Sequence, residues 1–94
     1  MIFTSGNDIR QDNVIIGTYT HKQQAINGTV EVRYEIYDSY GNLVANAVRS
    51  AFDSQQIKIT TAKDNRTHSA SSSFSTDMAI MKEIAKVLID KMYL

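Results

Sequence analysis

The clearest pattern in the sequence is the alternation of hydrophobic and polar residues between Thr29 and Tyr37. Every second position from Val30 to Ile36 is hydrophobic, and charged residues stand between them. This period predicts a β-strand with one face in the core and one face in solvent. Turn-forming residues lie on both sides, at 27–28 and 38–42, so we expect this strand to have a hairpin partner at each edge and to lie in the middle of the sheet.

The segment before this strand predicts a first hairpin of defined register. Residues 14–22 are rich in β-branched and aromatic residues, as is typical of strands. Asn27-Gly28 favours a two-residue type I′ turn, which would place Tyr19 opposite Ile36 and His21 opposite Tyr34. These side chains would lie on the face of the sheet that is turned toward the core, which we call the dry face. Gly17 is predicted to mark a β-bulge, because glycine often stands where a strand ladder is interrupted.

The segment after it predicts a second hairpin, with a type I turn closed by Gly41. This turn would pair Tyr37 with Leu43 and Ile36 with Val44, and it would place Glu31 opposite Arg49. The dry face of this strand is then predicted to carry Val44, Val48 and Phe52. The other face would carry Ala45, Ala47 and Ala51, either to admit another layer or subunit closely or to lie beneath long neighbouring side chains.

The remainder of the chain predicts one or two further strands and a helix. Residues 57–61 alternate and indicate a fourth strand, while residues 67–75 are either a fifth strand or a serine-rich edge or loop. From Met78 onward the hydrophobic residues recur at helical spacing. The predicted helical stripe consists of Met81, Ile84, Ala85, Leu88 and Met92. Ser75-Thr76-Asp77 supplies an N-cap candidate and an acidic first turn.

These patterns predict the α+β class: an antiparallel meander of four to five strands with one C-terminal amphipathic helix packed on one face. A length of 94 residues fits a single domain spanning 1–94. Its expected parts are an N-terminal arm at 1–13, the meander at 14–75 and the helix at 77–93. The arm either folds back on its own domain or docks on a neighbouring subunit through Ile2 and Phe3.

Composition narrows the functional classes. The chain has no cysteine, which removes disulfides and thiolate chemistry, and ten basic residues balance ten acidic residues. A net charge of zero disfavours broad attraction to nucleic acid or to an anionic membrane. The sequence shows no long apolar run and no signal peptide, so we expect a soluble protein that is cytoplasmic where it is made.

Candidate catalytic chemistry is sparse. The sequence shows no phosphate-binding glycine loop, no zinc spacing and no paired carboxylates, so we predict no enzyme, no cofactor and no metal site. His21 could act as a base or pH switch, although a hydrogen-bonded histidine at the rim of the core is the simpler interpretation. His68 stands among several serines, and only geometry can decide whether such residues form a catalytic triad.

Two functional hypotheses follow. The first is a non-enzymatic structural or assembly subunit of a larger homo- or hetero-oligomeric complex, such as a phage particle or tail. Its predicted protein interface consists of Ile2, Phe3, Glu31, Arg33, Glu35, Tyr37 and Arg49. The alternative is a small binding module, either for single-stranded nucleic acid through Lys58, Lys63 and Arg66 or for a small ligand held between sheet and helix.

Overall fold

A computed structural model describes residues 2–50, 55–71 and 76–90 of the chain, without the side chains of Ile2, Phe3, Ser5 and Ile26. They form one antiparallel sheet in the order of the sequence, followed by a single helix, which confirms the α+β class. The elements are β1 (Ile2–Ser5), β2 (Asp8–Gln11), β3 (Val14–Ile26), β4 (Thr29–Asp38), β5 (Leu43–Ser50), β6 (Gln56–Thr61), β7 (Arg66–Ser71) and α1 (Asp77–Asp90).

The sheet contains more strands than the four to five predicted. Strands β2 to β7 give six, and the short β1 adds a seventh at the edge. The additional strands come from the predicted arm, which forms a β1–β2 hairpin that pairs with β3 and so folds back on its own domain. Ile2 and Phe3 belong to β1, but their side chains lie outside the described part of the structure.

The first predicted hairpin is confirmed residue by residue. Tyr19 lies opposite Ile36 and His21 opposite Tyr34, and both residues of the Asn27-Gly28 turn have positive φ, 50° and 78°. The bulge predicted at Gly17 is also present. Ile9 pairs with Gly17 and Arg10 with Ile15, so β3 has one extra residue at this point.

The second predicted hairpin is correct at its turn and wrong beyond it. Tyr37 pairs with Leu43 as expected, but Ile36 pairs with Ala45, because Val44 is an extra residue that forms a bulge. The shift by one residue exchanges the two faces of β5. Ala45 and Ala47 are buried instead of Val44 and Val48, while Phe52 and Ala51 lie outside the described residues.

Packing explains why the alanine face of β5, and not its valine face, is turned toward the core. Tyr34 lies opposite Ala47 and Ile36 opposite Ala45, so each large side chain of β4 adjoins a small one of β5. This arrangement leaves room for the helix on the same face of the sheet. The alanines therefore admit another layer, which is α1. Its residues Ile80, Met81, Ile84 and Leu88 share one core cluster with Ala45 and Ala47.

Helix α1 begins as predicted. Thr76 is the N-cap, since its Oγ1 accepts a hydrogen bond from the backbone N–H of Ala79 at 3.2 Å. The buried residues of the helix are Ile80, Met81, Ile84, Ala85 and Leu88. Four of them belong to the predicted stripe, and Ile80 is buried in addition. Met92 and the predicted end of the helix at 93 lie outside the described residues.

The helix covers only part of the sheet face. Tyr19, Tyr34 and Ile36 are buried beneath it, whereas Gln23 and Ala25 are exposed near the tip of the β3–β4 hairpin. Alternation alone placed all of these residues on the dry face. No helix within the described residues is long and apolar enough to span a membrane.

Candidate functional site

The face of the sheet opposite α1 is polar and exposed, and we call it the open face. Its side chains come from alternate positions of β3 to β7, which the strand register aligns in rows across the sheet. The open face comprises Thr20, Lys22, Gln24, Glu31, Arg33, Glu35, Tyr37, Asn46, Val48, Lys58, Thr60, Thr67 and Ser69.

Four of the predicted interface residues lie on the open face and bond to one another in pairs. Arg33 Nη2 is 2.9 Å from Glu31 Oε2, and the Tyr37 hydroxyl donates a hydrogen bond of 2.9 Å to Glu35 Oε2. Both pairs join residues two positions apart on β4. The carboxylate of Glu35 raises the pKa of Tyr37 above its ordinary value.

Arg49, the remaining interface residue predicted on β4 or β5, lies on the other face. The bulge at Val44 places Arg49 opposite Val32, and Ser50 takes the predicted position opposite Glu31. Arg49 therefore points to the side of the buried tyrosines, where its polar, positively charged side chain acts to lower the pKa of Tyr34. The predicted Glu31–Arg49 pair is wrong for this reason.

At the start of α1, a carboxylate joins the helix to two strands. The Tyr19 hydroxyl donates to Asp77 Oδ2 at 3.1 Å, and the Tyr34 hydroxyl donates to Asp77 Oδ1 at 3.3 Å. We call Tyr19, Tyr34 and Asp77 the Asp77 cluster. Both tyrosines are buried, and Asp77 occupies the first helical turn, where the helix dipole favours a negative charge.

The Asp77 cluster favours neutral tyrosines. Burial is the main cause of the raised pKa of both Tyr19 and Tyr34, and the negative charge of Asp77 raises each further. In Tyr34 the neighbouring Arg49 opposes this increase in pKa. The cluster thus holds a carboxylate with two neutral donors, which is an arrangement suited to positioning the helix.

The raised pKa values predict a loss of stability at alkaline pH. Because the folded state holds the phenolic protons more tightly, this contribution is fully present below the unfolded pKa near 10 and is lost as pH rises through the folded pKa. Tyr19→Phe/Tyr34→Phe should therefore show a shallower fall in unfolding free energy than the unmodified chain above about pH 10. Urea unfolding at several pH values measures it.

The comparison has an internal control at neutral pH. Between about pH 6 and pH 8 tyrosines do not titrate, so the two stability curves should run parallel there, offset only by the lost hydrogen bonds. Parallel curves that continue above pH 10 would contradict the assignment.

The structure does not assemble the two histidines into a catalytic arrangement. His21 lies near Tyr34, with ring centroids 6.0 Å apart, but it is exposed at the rim of the core. His68 faces the helix side of β7, and its Nε2 is buried without a hydrogen-bond partner in the described part of the chain. The neighbours Ser69 and Ser71 alternate to the other face, while residues 72–75 lie outside the description.

The three predicted nucleic-acid residues belong to one hairpin but not to one face. Lys58 lies on β6 among the open-face residues, and Lys63 lies in the turn. Arg66 pairs with the buried Thr61, which places it on the helix side, and its Nε is 3.9 Å from Asp64 Oδ2. Within residues 55–71 the three cations thus do not line a common groove.

Exposed hydrophobic side chains gather at one end of the molecule, which we call the apolar end. Val14 and Ile15 are 64% and 41% exposed, Tyr40 is 88% exposed, and Ile89 is 38% exposed. Ile15, Tyr40 and Ile89 border a shallow depression of about 500 Å³. The start of β3, the β4–β5 turn and the last turn of α1 thus contribute to a single surface.

Sequence reasoning missed both the Asp77 cluster and the apolar end. Alternation places Tyr19 and Tyr34 on one face, but it carries no signal for the position of Asp77, which is 43 residues beyond Tyr34. Likewise, each residue of the apolar end looks like an ordinary strand, turn or helix residue, and only the fold brings them together.

The described residues contain no group of three or more histidine, aspartate or glutamate side chains placed to hold a metal ion. Comparison with known proteins gives no relative from which a role could be transferred. No protein family model matches the sequence, and no curated protein and no solved structure matches it significantly.

Proposed function

We propose that this chain is a structural subunit that assembles with other protein subunits through its apolar end. The observation that supports the proposal is the exposure of Ile15, Tyr40 and Ile89 around one depression, with the exposed Val14 next to Ile15 in the chain. Contiguous exposed hydrophobic surface is typical of protein contact sites, whereas isolated exposed hydrophobic residues are common everywhere.

The geometry of Tyr40 suits an anchor residue. It lies in the β4–β5 turn, where Asp38 Oδ1 accepts hydrogen bonds of 2.9 Å from the backbone N–H groups of Tyr40 and Asn42. These bonds lower the pKa of Asp38 and keep it charged in neutral solution. A turn held in this way presents the aromatic ring on a backbone with little conformational entropy left to lose, and tyrosine is enriched at the centres of interfaces.

We propose that the occupant of the apolar end is the same surface of a second copy. A two-fold interface uses the same patch on both subunits, and the apolar end is one hydrophobic patch built from three segments of this chain. The carboxylate of Asp38 is satisfied by its own turn, so it does not require a cationic partner.

The test is the oligomeric state. Sedimentation of the unmodified chain between about 10 and 500 μM should show a monomer–dimer equilibrium, since a small interface gives micromolar dissociation constants. Ile15→Thr/Tyr40→Ser should remain folded, because both side chains are partly or largely exposed, and should be monomeric throughout this range.

Met78 offers a matched control. Its side chain is 51% exposed but does not border the depression, so Met78→Gln should associate as the unmodified chain does. A monomeric unmodified chain at the highest concentration, or equal loss of association in the control, would refute the proposal.

The alternative function, a small binding module, is not supported by the three residues predicted for it. A nucleic-acid groove through Lys58, Lys63 and Arg66 has no common face to occupy. Lys58 does, however, lie on the open face in line with Lys22 and Arg33 of neighbouring strands. These three cations suit a bound ligand better than a contact between subunits.

A further inference from the structure

Three cationic side chains, those of Lys22, Arg33 and Lys58, occupy a single row across the open face, which we call the cationic row. Lys22 of β3 pairs with Arg33 of β4, Arg33 pairs with Val48 of β5, and Val48 pairs with Lys58 of β6. Neighbouring strands are about 4.8 Å apart, so the row spans three strand spacings. Lysine and arginine side chains are long enough for their charged groups to converge above Val48.

The row carries uncompensated positive charge. Arg33 is paired with Glu31 at 2.9 Å, whereas neither Lys22 nor Lys58 has a carboxylate within ion-pair distance among the described residues. Lys22 and Arg33 also stand directly opposite each other, and like charges in that position destabilise a sheet. An anion bound above the row would relieve this repulsion.

The row crosses a depression on the open face. The depression has a volume of about 360 Å³, which lies in the range of small-ligand sites. Lys22, Arg33, Val48 and Lys58 all line it, and Asn46 and Thr60 add hydrogen-bonding groups beside the cations.

We propose that this depression binds a small molecule bearing a phosphate monoester. Such a group carries a charge of about −1.5 to −2 near pH 7, which matches the two uncompensated lysines. Arg33 can offer its planar guanidinium to the phosphate oxygens, and the lysines act as point charges. Asn46 and Thr60 would contact the rest of the ligand.

The acidic residues of β4 argue against an extended polyanion. Glu31 and Glu35 lie two positions before and after Arg33 on the same face, so a carboxylate flanks the cationic row on each side. A single phosphate can remain above the row, while a nucleic-acid strand running along β4 would meet both carboxylates. The occupant is therefore the monoester and not an oligonucleotide.

Glycerol 3-phosphate is the probe, titrated at constant ionic strength into the unmodified chain while amide chemical shifts and the unfolding temperature are recorded. We expect saturable binding in the range of about 0.1 to 10 mM, with the shifts concentrated at the cationic row and the unfolding temperature raised. Lys22→Gln/Lys58→Gln should weaken binding at least about 10-fold.

Two further variants separate the site from general electrostatics. Glu35→Gln should tighten binding, because it removes a carboxylate that lines the depression. Lys82→Gln/Lys86→Gln removes two exposed cations of α1 and should leave binding unchanged. In the absence of ligand, Lys22→Gln/Lys58→Gln should be at least as stable as the unmodified chain, because it removes the like charge opposite Arg33. A loss of binding in this variant is then not a loss of folding.

The proposal is overturned by any of three results. These are the absence of saturable binding, an equal loss of binding in the α1 variant, and binding of a single-stranded oligonucleotide under conditions in which glycerol 3-phosphate does not bind.

Discussion

Asp77→Ala is expected to lower the free energy of unfolding by about 3 kcal/mol, since a carboxylate that accepts hydrogen bonds from two buried hydroxyls is removed. Tyr19 can still donate to the carbonyl oxygen of Gly6 at 3.2 Å, but Tyr34 has no second acceptor among the hydrogen bonds of the described residues. The start of α1 also loses the negative charge that its dipole favours. Urea unfolding monitored by circular dichroism measures the change.

Two variants distinguish this effect from a general loss of charge on the helix. Asp77→Asn keeps one carbonyl acceptor and should lose about half as much stability as Asp77→Ala. Asp90→Ala removes an exposed acidic residue at the other end of α1 and should change stability by no more than about 0.5 kcal/mol. If Asp77→Ala were no more destabilising than Asp90→Ala, the Asp77 cluster would not hold the helix on the sheet.

Gly17→Ala is expected to be destabilising by about 3 kcal/mol, the upper end of overpacking effects. A Cβ atom at this position would overlap the backbone carbonyl oxygen of Tyr37. That oxygen belongs to β4, which pairs with β3 at this point, so it cannot move without disturbing the ladder.

Gly28→Ala is the comparison for Gly17→Ala. Gly28 has φ 78° and open space around the position of a Cβ, so the substitution meets only backbone strain of about 1 kcal/mol. Thermal unfolding of both variants should show the larger decrease for Gly17→Ala. A smaller decrease than that of Gly28→Ala would mean that the carbonyl of Tyr37 does not restrict the position.

Much of the open face is accessible to sequence reasoning. The strict alternation of β4 places Glu31, Arg33 and Glu35 on one side, and the Asn27-Gly28 turn sets Lys22 opposite Arg33. Lys58 joins this row only through β5, whose register depends on the bulge at Val44. The cationic row was therefore half predictable, and its completion required the tertiary structure.

The error at β5 shows why local rules stop where they do. A turn fixes the first pair of a hairpin, so Tyr37 and Leu43 were placed correctly. The next pair depends on which face of β5 packs beneath α1, a contact with residues more than 30 positions away. The alanines are buried because a helix can approach small side chains closely. The extra residue Val44 shifts the register of β5 by one and so turns the alanines toward α1.

The sequence by itself determined the α+β class, the β3–β4 hairpin with its register, the bulge at Gly17 and the buried stripe of α1. These features follow from periodicity and turn chemistry, which act over a few residues. Only the tertiary structure decided the fate of the N-terminal hairpin, the orientation of β5, the Asp77 cluster and the apolar end. Each of these depends on which distant segments come into contact, and local side-chain preference does not encode that contact.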